Sequence, residues 1–362
     1  MVLNPRLIAL ATAVPRHVVS QDDVKQLATR LFPTTIRENP RVLDVFENAE
    51  IERRHLCVSP DWLGERHGLG ERNDLYIENA TQLGSQVARD ALDRAGLTAR
   101  DVDHIIFVSS TGLATPSIDA ILANRLDCRA DVRRTPVWGL GCAGGAVGLS
   151  RARDFALADV KARVLLVALE LCSFTFQPTD DSKRNLIATA IFADGAAAAI
   201  VEGCEAAQRS RAGHRSLELV ASHSVLWKDT LDVMGWSIYD DGLHVVFSRD
   251  IPSIVRESVR PSLVPFLERH GLSLDDVHHL VAHPGGVKVL RAYADALGIA
   301  PERLRHARDV LHHYGNMSSP SCLFVLERFF EAGDIAVGER ALVTALGPGF
   351  SAEYVLMKGV AT

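Results

Sequence analysis

GLTARDVDHII at residues 96–106 and GLSLDDVHHLV at residues 271–281 are one pattern written twice. Gly, Leu, Asp, Val and His coincide at an offset of 175 residues, and the Thr/Ser and Ile/Leu pairs are similar. A second echo pairs ARVLLVALEL from Ala162 with ERALVTALGP from Glu339, at an offset of 177. Ordinary helix–strand units with similar caps explain one such match. Two at nearly one offset imply a duplicated chain: two βαβ-rich halves sharing one core. The period is far too long for a solenoid.

The intervening segments fit that reading. ENATQLGSQVARDALDRAG, from Glu78, places Leu83, Val87, Ala91 and Ala95 on one helical face, and Gly96 suits the stop. VDHIIFVSS, ARVLLVALELC and RALVTALGPG read as buried strands. The alternation implies an α/β layered fold. The opening MVLNPRLIALATAVP holds a short apolar run with one basic residue, Arg6. A first strand over residues 7–14 explains it better than a secretory signal. No segment approaches the roughly 18 apolar residues of a membrane helix.

The 362 residues are 47% hydrophobic and 23% charged, a globular composition, with a net charge of −6. That balance argues against a nucleic-acid partner held by bulk positive charge. Six cysteines, Cys57, Cys128, Cys142, Cys172, Cys204 and Cys322, are scattered with no C-x-x-C pair. They argue against a zinc site or a disulfide framework, and for a reducing cytoplasm.

Cys142 stands out in VWGLGCAGGAVGLSRARDF, where an apolar run turns into a helical pattern. Packing, metal ligation and nucleophilic attack are all open to it. A nucleophilic cysteine reacts as thiolate, and a free thiol has a pKa of about 8.5. A helix N-terminus favours the anion. At the echo offsets, the Cys142 segment corresponds to residues 316–319. Two equivalent helices would start there and meet at the centre. His283 in LVAHPGGVKVL ends an apolar strand and is the best candidate base. His312 and His313 lie in the polar stretch VLHHYGNMSSPS. The Asn316 amide could donate to a developing oxyanion, or simply cap a helix. Cys, His and Asn in this order also occur in papain-like hydrolases, but no C-G-S-C-W-type surround is present.

Five motifs then carry a resemblance over nearly the whole length: GCAGG, FADGAAAAIV from Phe192, HPGG from His283, YGNMSSPS from Tyr314 and GPGFSAE from Gly347. With them the chain resembles the type III polyketide synthases, the chalcone-synthase-like branch of the thiolase fold. ELCSFTFQPTDDSKRNLIATAIFADG is most similar to the bacterial alkylresorcinol and alkylpyrone synthases. Type III ketoacyl carrier-protein synthases rank second, since His-Gln-Ala-Asn is missing here. A non-catalytic thiolase-fold scaffold ranks behind both, given the intact triad.

The resemblance implies a five-layered α-β-α-β-α core, with one half over residues 1–212 carrying Cys142 and the other over 213–362 carrying His283 and Asn316. It implies that Cys142 takes an acyl starter from acyl-CoA. His283 would pair with the thiolate. His283 and Asn316 would bind the malonyl-CoA carbonyl and stabilise the enolate left by CO₂ loss. No cofactor or metal is implied, since CoA thioesters are the substrates, and a homodimer is expected. Phe192 matches the family's gatekeeper phenylalanine, whereas the second gatekeeper falls on Val245. Thr115 takes the place of a cross-dimer methionine. Ser110, Thr111, Thr175, Trp236, Ser318 and the loop Gly347, Pro348, Gly349 and Phe350 would shape the cavity. Gly285 and Gly286 would let the pantetheine arm pass. Arg53 and Arg54 stand where relatives bind CoA phosphates, although Glu52 replaces an expected lysine.

Overall fold

The computed structural model describes residues 4–207 and 216–361, so the expected junction at 212/213 lies outside the described residues. The first half supplies β1 (Arg6–Ala13), a small pair β2 (His17–Ser20) and β3 (Arg53–Leu56), then β4 (His104–Val108), β5 (Arg133–Val137), β6 (Arg163–Leu171) and β7 (Asp194–Glu202). The second supplies β8 (Ser216–Leu226), the hairpin β9 (Met234–Tyr239) and β10 (Gly242–Phe247), then β11 (His279–Ala282), β12 (Arg340–Gly347) and β13 (Ser351–Val360).

Nine strands form one sheet in the order β11-β12-β13-β8-β1-β7-β6-β4-β5. Outward from its centre, one half runs β1-β7-β6-β4-β5 and the other β8-β13-β12-β11. The senses match as well. β4 with β6 and β11 with β12 are parallel, while β7 and β13 run antiparallel to both neighbours. The halves are stitched edge to edge where β1 meets β8, at Arg6↔Glu218 and Leu7↔Leu217. The echo in the sequence is thus an echo in winding.

Its local cause is a shared cap. Gly96 and Gly271 sit at φ +66 and +68, a left-handed conformation that favours glycine. Thr98 with Asp101, and Ser273 with Asp276, then close reciprocal capping boxes. Each box feeds a parallel strand opened by a histidine, His104 or His279. The helix stopped by Gly96 spans Leu69–Ala95 and buries Leu83, Val87 and Ala91, as its periodicity predicts.

The helices Gly144–Ala158 and Ser321–Ala332 form the middle layer. The first packs on β4, β6 and β7 of one half and on β8, β12 and β13 of the other. The second packs on β1 and β7, and on β11 and β12. Leu69–Ala95 covers the outer face of the first half, and Ile251–Glu268 covers the second, where Ser262 meets the Tyr354 hydroxyl at 2.8 Å. Glycine makes the middle layer possible. A Cβ on Gly145 would sit 2.3 Å from the Ser319 carbonyl oxygen, and one on Gly148 would sit 2.4 Å from the Leu166 side chain. The two helix starts are therefore pressed together, with Cys142 and Asn316 just ahead of them. Among the described residues no helix is long and apolar enough to cross a membrane.

Candidate active site

Cys142 lies in a short 3-10 turn, Gly141–Ala143, that runs into the helix Gly144–Ala158. Gly141 has φ +44, and a Cβ there would meet the Pro348 ring at 2.9 Å. A Cβ on Gly347 would lie 2.5 Å from the Leu140 carbonyl oxygen. Gly347 and Pro348 thus buttress the cysteine turn from behind. From the front, Ser110 Oγ accepts the N–H groups of Gly141 (3.1 Å) and Gly139 (3.3 Å). Glu170 accepts the Ser110 N–H at 2.8 Å and the Thr111 hydroxyl at 2.9 Å, and so fixes that support.

Asn316 is equally constrained. Its N–H donates to the Ile191 carbonyl at 2.8 Å, and Ala193 N–H donates back to the Asn316 carbonyl at 2.9 Å. Its side-chain Oδ1 accepts Ser318 N–H at 2.8 Å, with Ser318 at φ +58. An amide oxygen accepts and an amide nitrogen donates, so this bond sets the amide's orientation. Nδ2 is left toward the Gly285 carbonyl, 3.4 Å away. The Cys142 Sγ lies 4.0 Å from Asn316 Oδ1. His283 continues the β11–β12 ladder, donating its N–H to the Thr344 carbonyl at 2.8 Å. Both of its ring nitrogens are buried without a hydrogen-bond partner. The three side chains line one narrow chamber of about 20 Å³.

Burial governs the charges. It pushes the Cys142 thiol up to about 11, against hydrogen bonds from Ser318 and Asn316 that favour the anion. It pushes His283 down to about 3. Neither group charges alone. Moving the thiol proton to the imidazole leaves the chamber's net charge unchanged, so the two charges can appear together. Glu170, also buried, is raised to about 7.

Phe247, Ile251, Gly285 and Val289 are shared between this chamber and a larger cavity of about 690 Å³ that opens to solvent. Gly286 lines the larger cavity too. Phe192 lines a separate apolar channel of about 50 Å³, together with Thr175, Trp236 and Val245. The Phe192 ring touches Trp236 and stands edge-on to Phe247, with centroids 6.3 and 6.5 Å away.

Several expectations need correction. Arg54 does not face a phosphate. It is 1% exposed and donates to Gln21 and to the carbonyls of Thr189, Ala190 and Phe192. Arg53 is half-exposed and paired with Glu52, outside the large cavity. Cations at that cavity come instead from Arg41, Lys183, Arg184, Arg249 and Lys288, and these residues could hold the phosphates of a cofactor-sized ligand. The Ser110 and Thr111 hydroxyls support the cysteine turn and Glu170 rather than facing a cavity. Phe350 is fully buried against Trp227, a core contact, and Gly349 at φ +131 only turns the chain toward it. Thr115 is exposed on the single chain, beside exposed Leu113.

Phe247 and Glu170 were missed by the sequence reading. Strand side chains alternate, so Val245 and Phe247 share one face of β10. The aromatic ring absent at 245 is supplied two residues later. Glu170 lay inside a run read as a buried strand, but nothing in that run showed that it supports the cysteine turn.

Two family models cover the chain: chalcone and stilbene synthases, N-terminal domain, over residues 4–205, and the C-terminal domain over residues 218–361. A putative chalcone synthase of Bacillus subtilis (strain 168) is 39% identical over 355 residues, covering 97% of each chain. A 1,3,6,8-tetrahydroxynaphthalene synthase of Streptomyces peucetius subsp. caesius is 38% identical over 350 residues, covering 97% of this chain and 92% of its own. The crystal structure of the Streptomyces coelicolor A3(2) 1,3,6,8-tetrahydroxynaphthalene synthase, a bacterial type III polyketide synthase, superposes with TM-score 0.92 at 32% identity, covering 98% and 99% of the two chains. The fold is that of the thiolase-type condensing enzymes. Within it, the chain belongs to the chalcone and stilbene synthase family and is a type III polyketide synthase, an acyl-transferring condensing enzyme.

Proposed function

We propose that the protein loads a medium- or long-chain fatty acyl group on Cys142, extends it with malonyl-CoA and cyclises it to an alkylpyrone or alkylresorcinol-type product. The observation behind this reading is the apolar channel lined by Phe192, where Val245 leaves room that an aromatic side chain would fill.

The steps follow from the chamber. Cys142 passes its proton to His283, and the thiolate attacks the acyl-CoA carbonyl, expelling the CoA thiolate. CoA enters through the large cavity, with Arg249 and Lys288 among the cations that meet its phosphates. His283 and the Asn316 amide then donate to the malonyl thioester oxygen. The carboxylate leaves as CO₂ and its bonding electrons form an enolate. The enolate carbon attacks the Cys142 thioester, a carbon–carbon bond forms, and the Cys142 thiolate departs. The acyl chain is now two carbons longer. A thiol, an imidazole and an amide suffice for these steps, so we assign no cofactor.

We further propose a cytoplasmic homodimer. Exposed Leu113 and Trp138, near Thr115, offer an apolar face for a second copy, and light scattering distinguishes a dimer from a 39.4 kDa monomer. The functional test is product mass spectrometry with malonyl-CoA and a panel of acyl-CoA starters. Alkylated pyrones or resorcinols are expected. The tetrahydroxynaphthalene synthase relatives favour a second reading, a naphthalene product, and a product formed from malonyl-CoA alone would support it instead.

A further inference from the structure

Away from the Cys142 chamber, three ligand-type atoms converge where the approach to β3 meets the end of the helix Arg305–Tyr314. Glu52 Oε2, His312 Nε2 and His313 Nε2 lie within 4.8 Å of one another. The carboxylate oxygen is 3.5 Å from the first nitrogen and 4.0 Å from the second. Scattered cysteines gave no sign of such a cluster, because it uses none of them.

The other nitrogen of each ring is already committed. His312 Nδ1 lies 2.8 Å from the Glu50 carbonyl oxygen, and His313 Nδ1 lies 3.0 Å from that of Asp309. A carbonyl only accepts, so each Nδ1 carries the proton. In the tautomer protonated there alone, each ring turns an Nε2 lone pair toward Glu52. Three acceptors facing one another repel, and either a proton or a cation between them removes the repulsion. Imidazoles oriented by a carbonyl through the far nitrogen are the usual support of a metal-binding histidine.

The backbone holds the cluster together. Glu52 N–H donates to the His312 carbonyl at 2.8 Å, and Gln21 N–H donates to the Glu52 carbonyl at 2.9 Å. A tetrahedral ion with bonds of about 2.1 Å separates its ligands by about 3.4 Å, which the 3.5 Å pair meets and which the 4.0 Å pair and the two imidazoles, within 4.8 Å, reach by small rotations. The three side chains are 54%, 48% and 31% exposed, which leaves freedom for small rotations and a path for the ion. Arg53 also reaches the same carboxylate oxygen, at 3.4 Å, from its exposed side.

We propose that Glu52, His312 and His313 form a surface site for a divalent transition-metal ion, with water in the remaining position. Two imidazoles and one carboxylate suit zinc and its first-row neighbours rather than magnesium or calcium. The ion would tie the approach to β3 to the helix that ends just before Gly315 and Asn316.

The test is equilibrium dialysis of the untagged full chain with Zn²⁺ alone, followed by the absorption spectrum of the Co²⁺ form. One ion per chain is expected, with affinity falling at least about tenfold in His312→Ala, His313→Ala and Glu52→Gln. His306→Ala, whose ring pairs with Asp334 at 2.7 Å, serves as the control and should bind as wild type. The Co²⁺ form of the wild type should show ligand-field bands without sulfur-to-cobalt charge transfer. Sulfur charge transfer, binding unchanged in the three variants, or no binding of Zn²⁺ would overturn the proposal; the last outcome would mean that a proton fills the gap. The Co²⁺ spectrum decides the matter even where a variant folds poorly.

Discussion

Phe192 and Asn316 are joined by a parallel backbone bridge, with Asn316 held between Ile191 and Ala193. The ring that walls the apolar channel and the amide that faces Cys142 therefore belong to one rigid unit. Channel shape is adjusted more freely at the ring's other neighbours. Phe247→Ala opens the wall shared by the Cys142 chamber and the large cavity. It is expected to raise kcat/KM for long acyl-CoA starters over short ones by about tenfold, the scale of one or two methylenes in an apolar pocket. Val245→Phe should shift the preference the other way. Competition between starters, read by product mass, checks both; an unchanged profile in the two variants would remove Phe247 and Val245 from the gate.

Arg54 and the cavity cations should separate cleanly. Arg54→Ala strips a buried guanidinium from three carbonyls and Gln21, and a loss of about 3–5 kcal/mol in urea unfolding is expected. Arg53→Ala should change stability by no more than about 0.5 kcal/mol. Lys288→Ala and Arg249→Ala should instead raise KM for acyl-CoA at constant kcat, in a salt-dependent way. A raised KM in Arg53→Ala alone would return the phosphates to β3.

Proton transfer to His283 predicts how Cys142 alkylates. In the wild type the thiolate forms together with the imidazolium, so iodoacetamide should label Cys142 at neutral pH. In His283→Ala the thiol stands alone in its buried turn. Its labelling should then climb about tenfold per pH unit toward the value near 11 that burial dictates. Peptide mapping isolates Cys142 from the other five cysteines. Identical pH profiles in the two proteins would exclude His283 as the proton acceptor.

Glu170 imprints a pH dependence on stability. Burial raises its carboxyl from 4.5 to about 7, so between these values the folded chain holds a proton that the unfolded chain has lost. That contribution is complete below about 4.5 and is lost as the pH rises through about 7. Glu170→Gln cannot ionise. Its stability relative to wild type should improve by roughly 3 kcal/mol between pH 4.5 and 8, measured by denaturant unfolding at each pH. A flat difference would mean that Glu170 titrates in the folded chain as it does in the unfolded one.

Periodic and local features were legible in the chain. The capping boxes at Thr98 and Ser273, the helix stop at Gly96 and the strand before His283 depend on near neighbours in sequence. The meeting of Cys142 and Asn316 was legible for a different reason, because the duplication places equivalent helix starts side by side. Arg54 misled because neighbouring arginines on one strand point to opposite faces, and sequence does not say which face is covered. Thr189, Ala190 and Phe192, far along the chain, bury it. Glu170, Phe247 and the cavity cations depend likewise on which distant segments pack together. The Glu52–His312–His313 cluster is the extreme case, drawn from two elements some 260 residues apart.

The acyl adduct on the protein tests the central claim most directly. The enzyme is incubated with a fatty acyl-CoA in the absence of malonyl-CoA, and its intact mass and peptide map are measured beside Cys142→Ala. One acyl group, mapped to Cys142 and absent from the variant, is the predicted result. An adduct on Cys172 or any other cysteine, or acylation that persists in Cys142→Ala, would contradict it.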